Sequence, residues 1–401
     1  MSFLDRFTSK TKPILPNSGG LGGLSSLFRG NSRNITPDNA MQLTTVFACN
    51  RVIAETLSSI SLDVLIRTEK GKEKDLTHPL YTLLKYSPNP HMTSVMWRER
   101  IVTDLNTRGN HYSQIVRDGR GEVVGIYPLQ SKLMTVSFSK QGKKEFLYQN
   151  GNDKISLNSF EILHIPGLPS NDGITGLSPI EANKRALELG STAETFGSNF
   201  FDNGANASGA FSIPNTLEES AYDRLKDSLN SAYTGMTSNH KPMLLEAGMK
   251  FEKFTISNSD SQFLETRKYQ KEEIASIFRV PMHMINSLEN ATFSNIEHQS
   301  LEFVQFTILP WVKRIEQSLT LSLLSTDEMQ THSIKFNVDS LLRGDYKTRT
   351  EGYKTLALIG ALNVNEIRAL ENMNSIGDAG DKYYVQLNMT ESNNLPQGGK
   401  E

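Results

Sequence analysis

The chain has 401 residues and a formal charge of −2 at pH 7. That length fits two to four structural units of roughly 100–200 residues each and is enough to bury a sizeable core. The near balance of charge argues against a protein that grips nucleic acid over a broad basic face, because such binding depends on Lys and Arg neutralising phosphates.

Cys49 is the only cysteine, which excludes an internal disulfide and a cysteine-based zinc site within one chain. It lies on the apolar stripe of the first predicted helix, where a buried structural thiol is the expected role. A reducing compartment suits this usage. The sequence shows neither a secretory signal nor a run of about 18 apolar residues, so no membrane partner is predicted.

Residues 1–36 are predicted to be a flexible arm, because residues 17–33 are rich in Gly and Ser. These glycines do not match the phosphate-binding P-loop pattern, and no predicted strand precedes them. A nucleotide cofactor is therefore not expected.

Residues 37–177 predict an α+β region built around a mostly antiparallel sheet. Thr36 and Pro37 are typical of a helix start, and Gly109 is expected to end the second helix. Short alternating strands at hairpin distances follow it: HYSQIVR, EVVGIYPL, KLMTVSFS, EFLYQN and FEILHIP.

A helix over 178–204 is predicted next, with Ser178 as its cap and Glu181 as the capping-box partner. Its predicted inward stripe is dominated by small residues, which let another helix approach closely. The stripe packs either on its own domain or on copies of the helix in neighbouring subunits. The stripe comprises Ala182, Ala186, Leu189, Ala193, Gly197 and Phe200.

Residues 205–259 predict a small α/β insert, and a second helix covers 260–279. Pro281 is expected to end that helix, because proline donates no hydrogen bond and restricts the preceding residue. A polar loop is predicted over 280–294. Its candidate contact residues are Met282, His283, Met284, Asn286 and Asn290.

Ser294 and Glu297 form an S-x-x-E pattern that predicts the start of a helix of about thirty residues. Pro310 lies inside this helix and is expected to kink it. One strand and two short helices complete the region over 295–375, followed by a polar tail at 376–401.

A catalytic hypothesis rests on His283, Glu297 and His298 as a metal-dependent hydrolase site. Glu297 and His298 lie about 100° apart on a helix, and no H-E-x-x-H motif is present. Glu297 is better explained as a capping residue. His164, among apolar neighbours in a strand, is expected to be a hydrogen-bonded core residue, and the sequence indicates no nucleophile, metal or cofactor.

The elements together predict two helices that leave and re-enter one body and carry an insert at their far end. In order and combined length, these segments resemble the portal proteins of tailed double-stranded-DNA bacteriophages, in the long-tailed-phage branch, over roughly residues 40 to 375. No single segment decides the resemblance, and those that carry it include TVFACNRVIAETLSSISLDV, EILHIPGLPSNDGITGLSPIEANKRALELGSTAETFGSNFFDNGANASGAF, QFLETRKYQKEEIASIFRVPMHMINSLENATFSNIEHQSLEFVQFTILPWVKRIEQSL and LNVNEIRALENM.

The resemblance implies a portal-type architecture. The α+β wing would span 37–177 and 295–344, the latter with the long kinked helix, and the crown would be a short helical segment at 345–375. The two helices at 178–204 and 260–279 would form the stem. The small α/β clip would span 205–259, and the tunnel loop would span 280–294.

The resemblance also implies a ring, usually of twelve subunits, at the capsid portal vertex of the virion. Double-stranded DNA would pass through it without sequence-specific contacts during packaging and ejection. The implied partners are the terminase large subunit, the head-to-tail adaptor, and the major capsid and scaffold proteins, with assembly in the host cytoplasm. Another phage head or adaptor ring protein is the alternative, although such a protein would not need the two-helix excursion.

Overall fold

The computed structural model describes residues 34–69, 71–202, 209–212, 218, 220–224, 227, 250–253, 259–285, 293–338, 341, 346–371 and 373–384. The chain divides into two compact units, Met1–Asn337 and Val338–Glu401. Most of the predicted N-terminal arm, much of the insert and most of the tail lie outside the described residues. Among the described helices, none is both long and apolar enough to cross a membrane.

The first unit contains helices of very different length. They include α1 (Thr44–Ser59), α2 (Pro79–Lys85), α3 (Ser94–Arg108), α4 (Pro179–Ala182), α5 (Lys184–Asp202), α6 (Ser259–Phe278), α7 (Phe293–Phe303), α8 (Leu309–Leu323) and α9 (Glu328–Thr331). Single 3-10 turns occur at Ala40–Gln42, Ser131–Leu133 and Met282–Ile285, and a π-helical segment at Val304–Ile308 joins α7 to α8.

The strands of this unit pair in antiparallel fashion. They are β1 (Leu62–Thr68), β2 (Gly71–Lys74), β3 (Asn110–Arg117), β4 (Val123–Pro128), β5 (Met134–Phe138), β6 (Lys144–Asn150), β7 (Asp153–Leu157), β8 (Ile162–Pro166), β9 (Gly209–Ser212), β10 (Lys250–Lys253) and β11 (His332–Phe336). The sheet orders are β11-β1-β2, β4-β3-β8, β5-β6-β7 and β10-β9.

The prediction of one main sheet is therefore wrong in detail, because the strands divide among several small sheets. The central strand β3 is buried except at its two end residues. The helix α3 packs against it, and α8 packs against its neighbour β8. A second apolar cluster joins β3 and β8 to the β5-β6-β7 sheet. Its buried members are Tyr112, Leu129, Phe146, Tyr148, Leu157 and Ile162.

The first helix begins later than predicted. Residues 37–39 form a turn and α1 starts at Thr44, because Asn39 Oδ1 accepts the N–H of Thr36 at 2.7 Å and such a side-chain bond competes with helix formation. Cys49 is fully buried on α1, as predicted. Burial raises the pKa of its thiol to about 12.

The end of α3 matches the prediction. Gly109 adopts a left-handed conformation with φ 73°, and its N–H bonds the carbonyl of Leu105. Glycine reaches this conformation without a steric cost.

The second unit contains α10 (Tyr346–Leu358) and α11 (Val364–Leu370). Asn363 and Glu366 form a complete capping box at the start of α11. Arg349 and the hydroxyl of Tyr353 both donate to Glu371, so polar contacts join α10 to the end of α11.

Candidate functional site

The candidate site is the junction at which the chain leaves the body before α5 and returns to it after α6. On its leaving side, three glycines bring three segments into backbone contact. Gly167 donates its N–H to the carbonyl of Gly109 at 2.7 Å. A Cβ on Gly176 would overlap the carbonyl oxygen of Gly109 and the nitrogen of Gly167. The leaving side therefore depends on glycine at positions where backbones touch.

Polar side chains complete the leaving side. Ser178 Oγ donates to the carbonyl of Thr107 at 2.6 Å and accepts the N–H of Glu181 at 3.1 Å, the hydrogen bond of a helix N-cap. Asn110 forms a pair of bonds with the backbone of Gly176, at 2.7 and 2.8 Å. These bonds fix the direction in which the chain enters α4.

The helix predicted over 178–204 is interrupted. α4 ends at Ala182, and Asn183 leaves helical geometry with φ −113° and ψ 24°. Its side-chain amide donates to the carbonyl of Pro179 at 2.9 Å, which offers the backbone a local alternative to the helix. The described part of α5 then runs to Asp202.

α5 packs against α6, mainly through residues beside the predicted stripe. The buried residues of α5 include Leu187, Gly190 and Ser191, whereas Leu189 is 57% exposed. Ala182 is exposed, and Ala186 and Ala193 are only partly buried. Of the predicted packing residues, Gly197 is buried. At about 100° per residue, the predicted stripe lies roughly a quarter turn away from the face that meets α6.

Charged side chains line the contact between the two helices. Burial raises the pKa of Glu194, while the nearby cations Arg267 and Lys271 act in the opposite direction. Gln270, on α6, is 4% exposed and its Oε1 has no hydrogen-bond partner. The α5–α6 pair is therefore partly polar inside.

On the returning side, α6 ends three residues before Pro281. The N–H groups of Arg279 and Val280 bond the carbonyls of Ser276 and Ala275, both at 3.1 Å, which is the Schellman pattern. Arg279 takes the left-handed position of that motif with φ 53°. Pro281 thus follows the helix end instead of causing it.

The long helix changes its hydrogen-bond pattern just before Pro310, and the kink expected there stays a prediction. The segment Val304–Ile308 is π-helical, and the N–H of Leu309 bonds the carbonyl of Val304, five residues back. Thr307 donates its hydroxyl to the carbonyl of Arg279 at 2.7 Å, and Arg279 Nη1 donates to the carbonyl of Phe306 at 3.4 Å.

A cleft of about 240 Å³ separates the leaving and returning sides. Residues of both sides line it, among them Leu177, Ala182, Phe278, Phe306, Thr307 and Trp311. The helix α1 supports the returning side, because it packs against α6, the π-helical segment and the 3-10 turn Met282–Ile285.

Part of the predicted loop lies among the described residues. Met282, His283 and Met284 lie in the 3-10 turn and are half-buried. His283 contacts α7 within the same chain, with Nδ1 at 2.9 Å from Gln299 Oε1 and Nε2 at 3.4 Å from Ser300 Oγ. Asn286 and Asn290 lie outside the described residues.

The helix after the loop starts at Phe293, so Ser294 and Glu297 lie within its first turns. The helix start predicted at Ser294 is therefore displaced by one or two residues, the usual uncertainty of a helix boundary. In the part of the chain that the structure describes, no three His, Cys, Asp or Glu side chains are arranged to hold a metal ion.

His164 forms the expected hydrogen bonds. Lys144 Nζ lies 2.8 Å from His164 Nδ1, and His164 Nε2 lies 3.0 Å from Asn110 Oδ1. The ring stacks on Tyr112 with centroids 4.7 Å apart. Burial, assisted by the positive charge of Lys144, lowers the pKa of His164 to about 3.

Comparisons with known proteins cover most of the chain. The family model described as phage portal protein matches residues 44–372. The portal protein of Enterobacteria phage HK97 is 31% identical over 368 residues, covering 90% of this chain and 86% of that protein. The chain belongs to the phage portal protein family. The probable portal protein of Streptomyces phage phiC31 is 29% identical over 399 residues, 96% of this chain and 86% of that protein.

A solved structure shows the same fold. The neck of a native gene transfer agent particle, computed with C12 symmetry, matches with a TM-score of 0.58 and 23% identity, over 88% of this chain and 99% of that chain. The predicted α+β fold class of a portal-type subunit is confirmed.

The portal family is structural, yet this chain contains a Ser-His-Asp arrangement that the sequence did not suggest. His111 Nδ1 lies 2.9 Å from Asp104 Oδ2, and Nε2 lies 2.8 Å from Ser113 Oγ. Trp97 Nε1 donates to the same hydroxyl at 3.2 Å. His111 and Ser113 are 0% exposed, so a substrate has no access, and burial lowers the pKa of His111. The arrangement is a buried polar network that joins α3 to β3.

Several junction residues were not singled out by sequence reasoning, namely Gly167, Gly176, Arg279, Thr307 and Arg314. The glycines stand in a segment, HIPGLPSNDGITGLSP, whose composition suggests only a loop. Arg314 Nη1 donates to the carbonyl of Gly167 at 2.5 Å across 147 positions of sequence. Pro310 was the one local signal that pointed to the π-helical segment.

Proposed function

We propose that this portal-family chain assembles into a ring-shaped channel at one capsid vertex, through which double-stranded DNA is packaged and ejected. The observation that carries this proposal is the family match over residues 44–372. The near-neutral charge of −2 suits the role, because a strongly basic surface would bind phosphates and retard the DNA.

The ring requires one surface of each copy to meet a different surface of the next, since only a head-to-tail contact that closes gives a cyclic assembly. The exposed stripe of α5 is our candidate for part of one such surface. Ala186 and Ala193 are small enough for close helix approach, and Leu189 between them is 57% exposed. Of the two alternatives for this stripe, we retain packing on copies of the helix in neighbouring subunits.

The remaining assignments follow the family architecture. The wing is proposed for 37–177 and 295–344, the stem for 178–204 and 260–279, the clip for 205–259 and the crown for 345–375. The tunnel loop at 280–294 would contact DNA through Met282, His283, Met284, Asn286 and Asn290. The clip would bind the terminase large subunit and later the head-to-tail adaptor, and the wing and crown would face capsid and scaffold proteins.

Assembly of the purified full-length chain tests the proposal. Native mass spectrometry and negative-stain imaging are expected to show closed rings, usually of twelve copies. Leu189→Glu is expected to reduce the ring fraction at least about tenfold, because it places a charge in an apolar helix contact. Thr195→Glu adds the same charge at an exposed position on the side of α5 away from the stripe and is the matched control.

The ring and the role of the α5 stripe are each contradicted by a different result. A wild-type chain that stays monomeric under all assembly conditions would argue against the ring. Rings of normal yield from Leu189→Glu would remove the α5 stripe from the interface while leaving the ring itself in place. The alternative of a metal-dependent hydrolase gains no support, because His283 bonds Gln299 and Ser300.

A further inference from the structure

The π-helical segment changes which way one buried threonine points. Thr hydroxyls inside helices commonly bond the carbonyl four residues back, and Thr320 in α8 does so, donating to Glu316 at 2.7 Å. Thr307 is 4% exposed and instead donates to the carbonyl of Arg279, on another element. The π-helical segment inserts one extra residue into the helix register. The shifted register turns Thr307 toward the end of α6.

The acceptor of that bond is itself unusual. Among the described residues, Arg279 is the one non-glycine residue with positive φ. A side chain in this conformation is sterically disfavoured, and such strain persists only where surrounding contacts hold it. The Thr307 hydroxyl and the two Schellman bonds are contacts of this kind.

We propose that Thr307 is a positioning residue. Its hydroxyl holds the strained cap at Arg279, so that the π-helical register of the long helix and the left-handed end of α6 form together. The consequence is that the direction in which the chain leaves α6 is set by the long helix as well as by α6. This consequence for channel geometry rests on the proposed function, whereas the coupling itself concerns described residues only.

Hydrogen exchange on the assembled full-length chain tests the coupling. The reporter is the amide of Val280, which bonds Ala275 in the Schellman cap, measured by mass spectrometry with fragmentation that resolves single amides. Thr307→Val keeps the shape of the side chain and removes the donor. It is expected to speed exchange of this amide about tenfold, which corresponds to the loss of about 1.4 kcal/mol for one hydrogen bond.

Two variants serve as controls. Thr307→Ser keeps the hydroxyl and is expected to exchange within about twofold of wild type. Thr320→Val makes the same change where the hydroxyl bonds within its own helix, and it is expected to leave the Val280 amide unchanged. If a threonine hydroxyl only stabilised its own helix, Thr307→Val and Thr320→Val would not differ in their effect on the Val280 amide.

Arg279→Gly tests the strain. Glycine adopts positive φ without the steric cost, so the effect of Thr307→Val is expected to shrink to about twofold in the Arg279→Gly background. Unchanged Val280 exchange in Thr307→Val, or an equal effect in both backgrounds, would overturn the proposal. If Thr307→Val does not fold, Thr307→Ala decides instead, because it also removes the donor and is expected to speed exchange of the Val280 amide about tenfold. Unchanged exchange in Thr307→Ala would then overturn the proposal.

Ring assembly is recorded separately for every variant. A wild-type chain without rings would count against the portal function, whereas rings with unaltered exchange in Thr307→Val would count only against the coupling.

Discussion

The two sides of the junction hold the chain by different means. The leaving side is closed by glycine backbones in direct contact and by Ser178 and Asn110. The returning side is held by two hydrogen bonds between a strained cap and a π-helical segment, with a cleft beside it. Steric contact between backbones leaves no room for adjustment, whereas side-chain hydrogen bonds can break and re-form. We infer that the α5 end is fixed and that the α6 end is adjustable.

The largest expected effect comes from Gly176→Ala. The added Cβ would overlap backbone atoms of Gly109 and Gly167, which no side-chain movement relieves. We expect a loss of at least about 3 kcal/mol in the free energy of unfolding, or failure to fold. Chemical denaturation measures it, with Gly119→Ala as control because its Cβ would meet nothing within 4 Å. Wild-type stability for Gly176→Ala would refute the fixed leaving side.

Acid is expected to weaken the leaving side first. The folded pKa of His164 is lowered to about 3, below the ordinary value of about 6.5, so the unfolded chain binds the proton more readily. Stability from this group is present above about pH 6.5 and is lost as pH falls toward 3, by at most about 1.4 kcal/mol per pH unit. Denaturation between pH 7 and pH 4 measures the slope.

His164→Gln is the variant to compare, because an amide keeps hydrogen-bonding capacity without titrating in this range. Its unfolding free energy is expected to fall less steeply with acid than that of wild type. Parallel slopes for the two proteins would contradict a role for His164.

The smallest expected effect is that of Gly190→Ala, which adds the same Cβ within the α5–α6 pair. Its nearest neighbours would be Ile274 Cδ1 at 3.1 Å and Gln270 Oε1 at 3.3 Å, both ends of flexible side chains. Alanine also gains about 1 kcal/mol of helix propensity over glycine, so we expect a change within about 1 kcal/mol by the same denaturation assay. A loss as large as that of Gly176→Ala would mean that the helix pair is as rigid as the leaving side.

Sequence patterns predicted the elements better than their contacts. Gly109 at the end of α3 and the cap at Ser178 each have a local chemical signature, and the structure shows both. The sequence left open whether the small-residue stripe packs on its own domain or on a neighbouring copy, and the residues of α5 that are buried lie mostly beside that stripe. Long-range partners such as Arg314 with Gly167, or Thr307 with Arg279, leave no local pattern, since either residue alone is ordinary.

The buried thiol of Cys49 has a practical meaning for the assembled state. With its pKa raised to about 12 and its side chain fully buried, the native chain offers a labelling reagent almost no thiolate. A cysteine engineered on the surface would then carry the sole dye of each copy. Stepwise photobleaching of single particles could count those dyes, and with them the subunits, one molecule at a time.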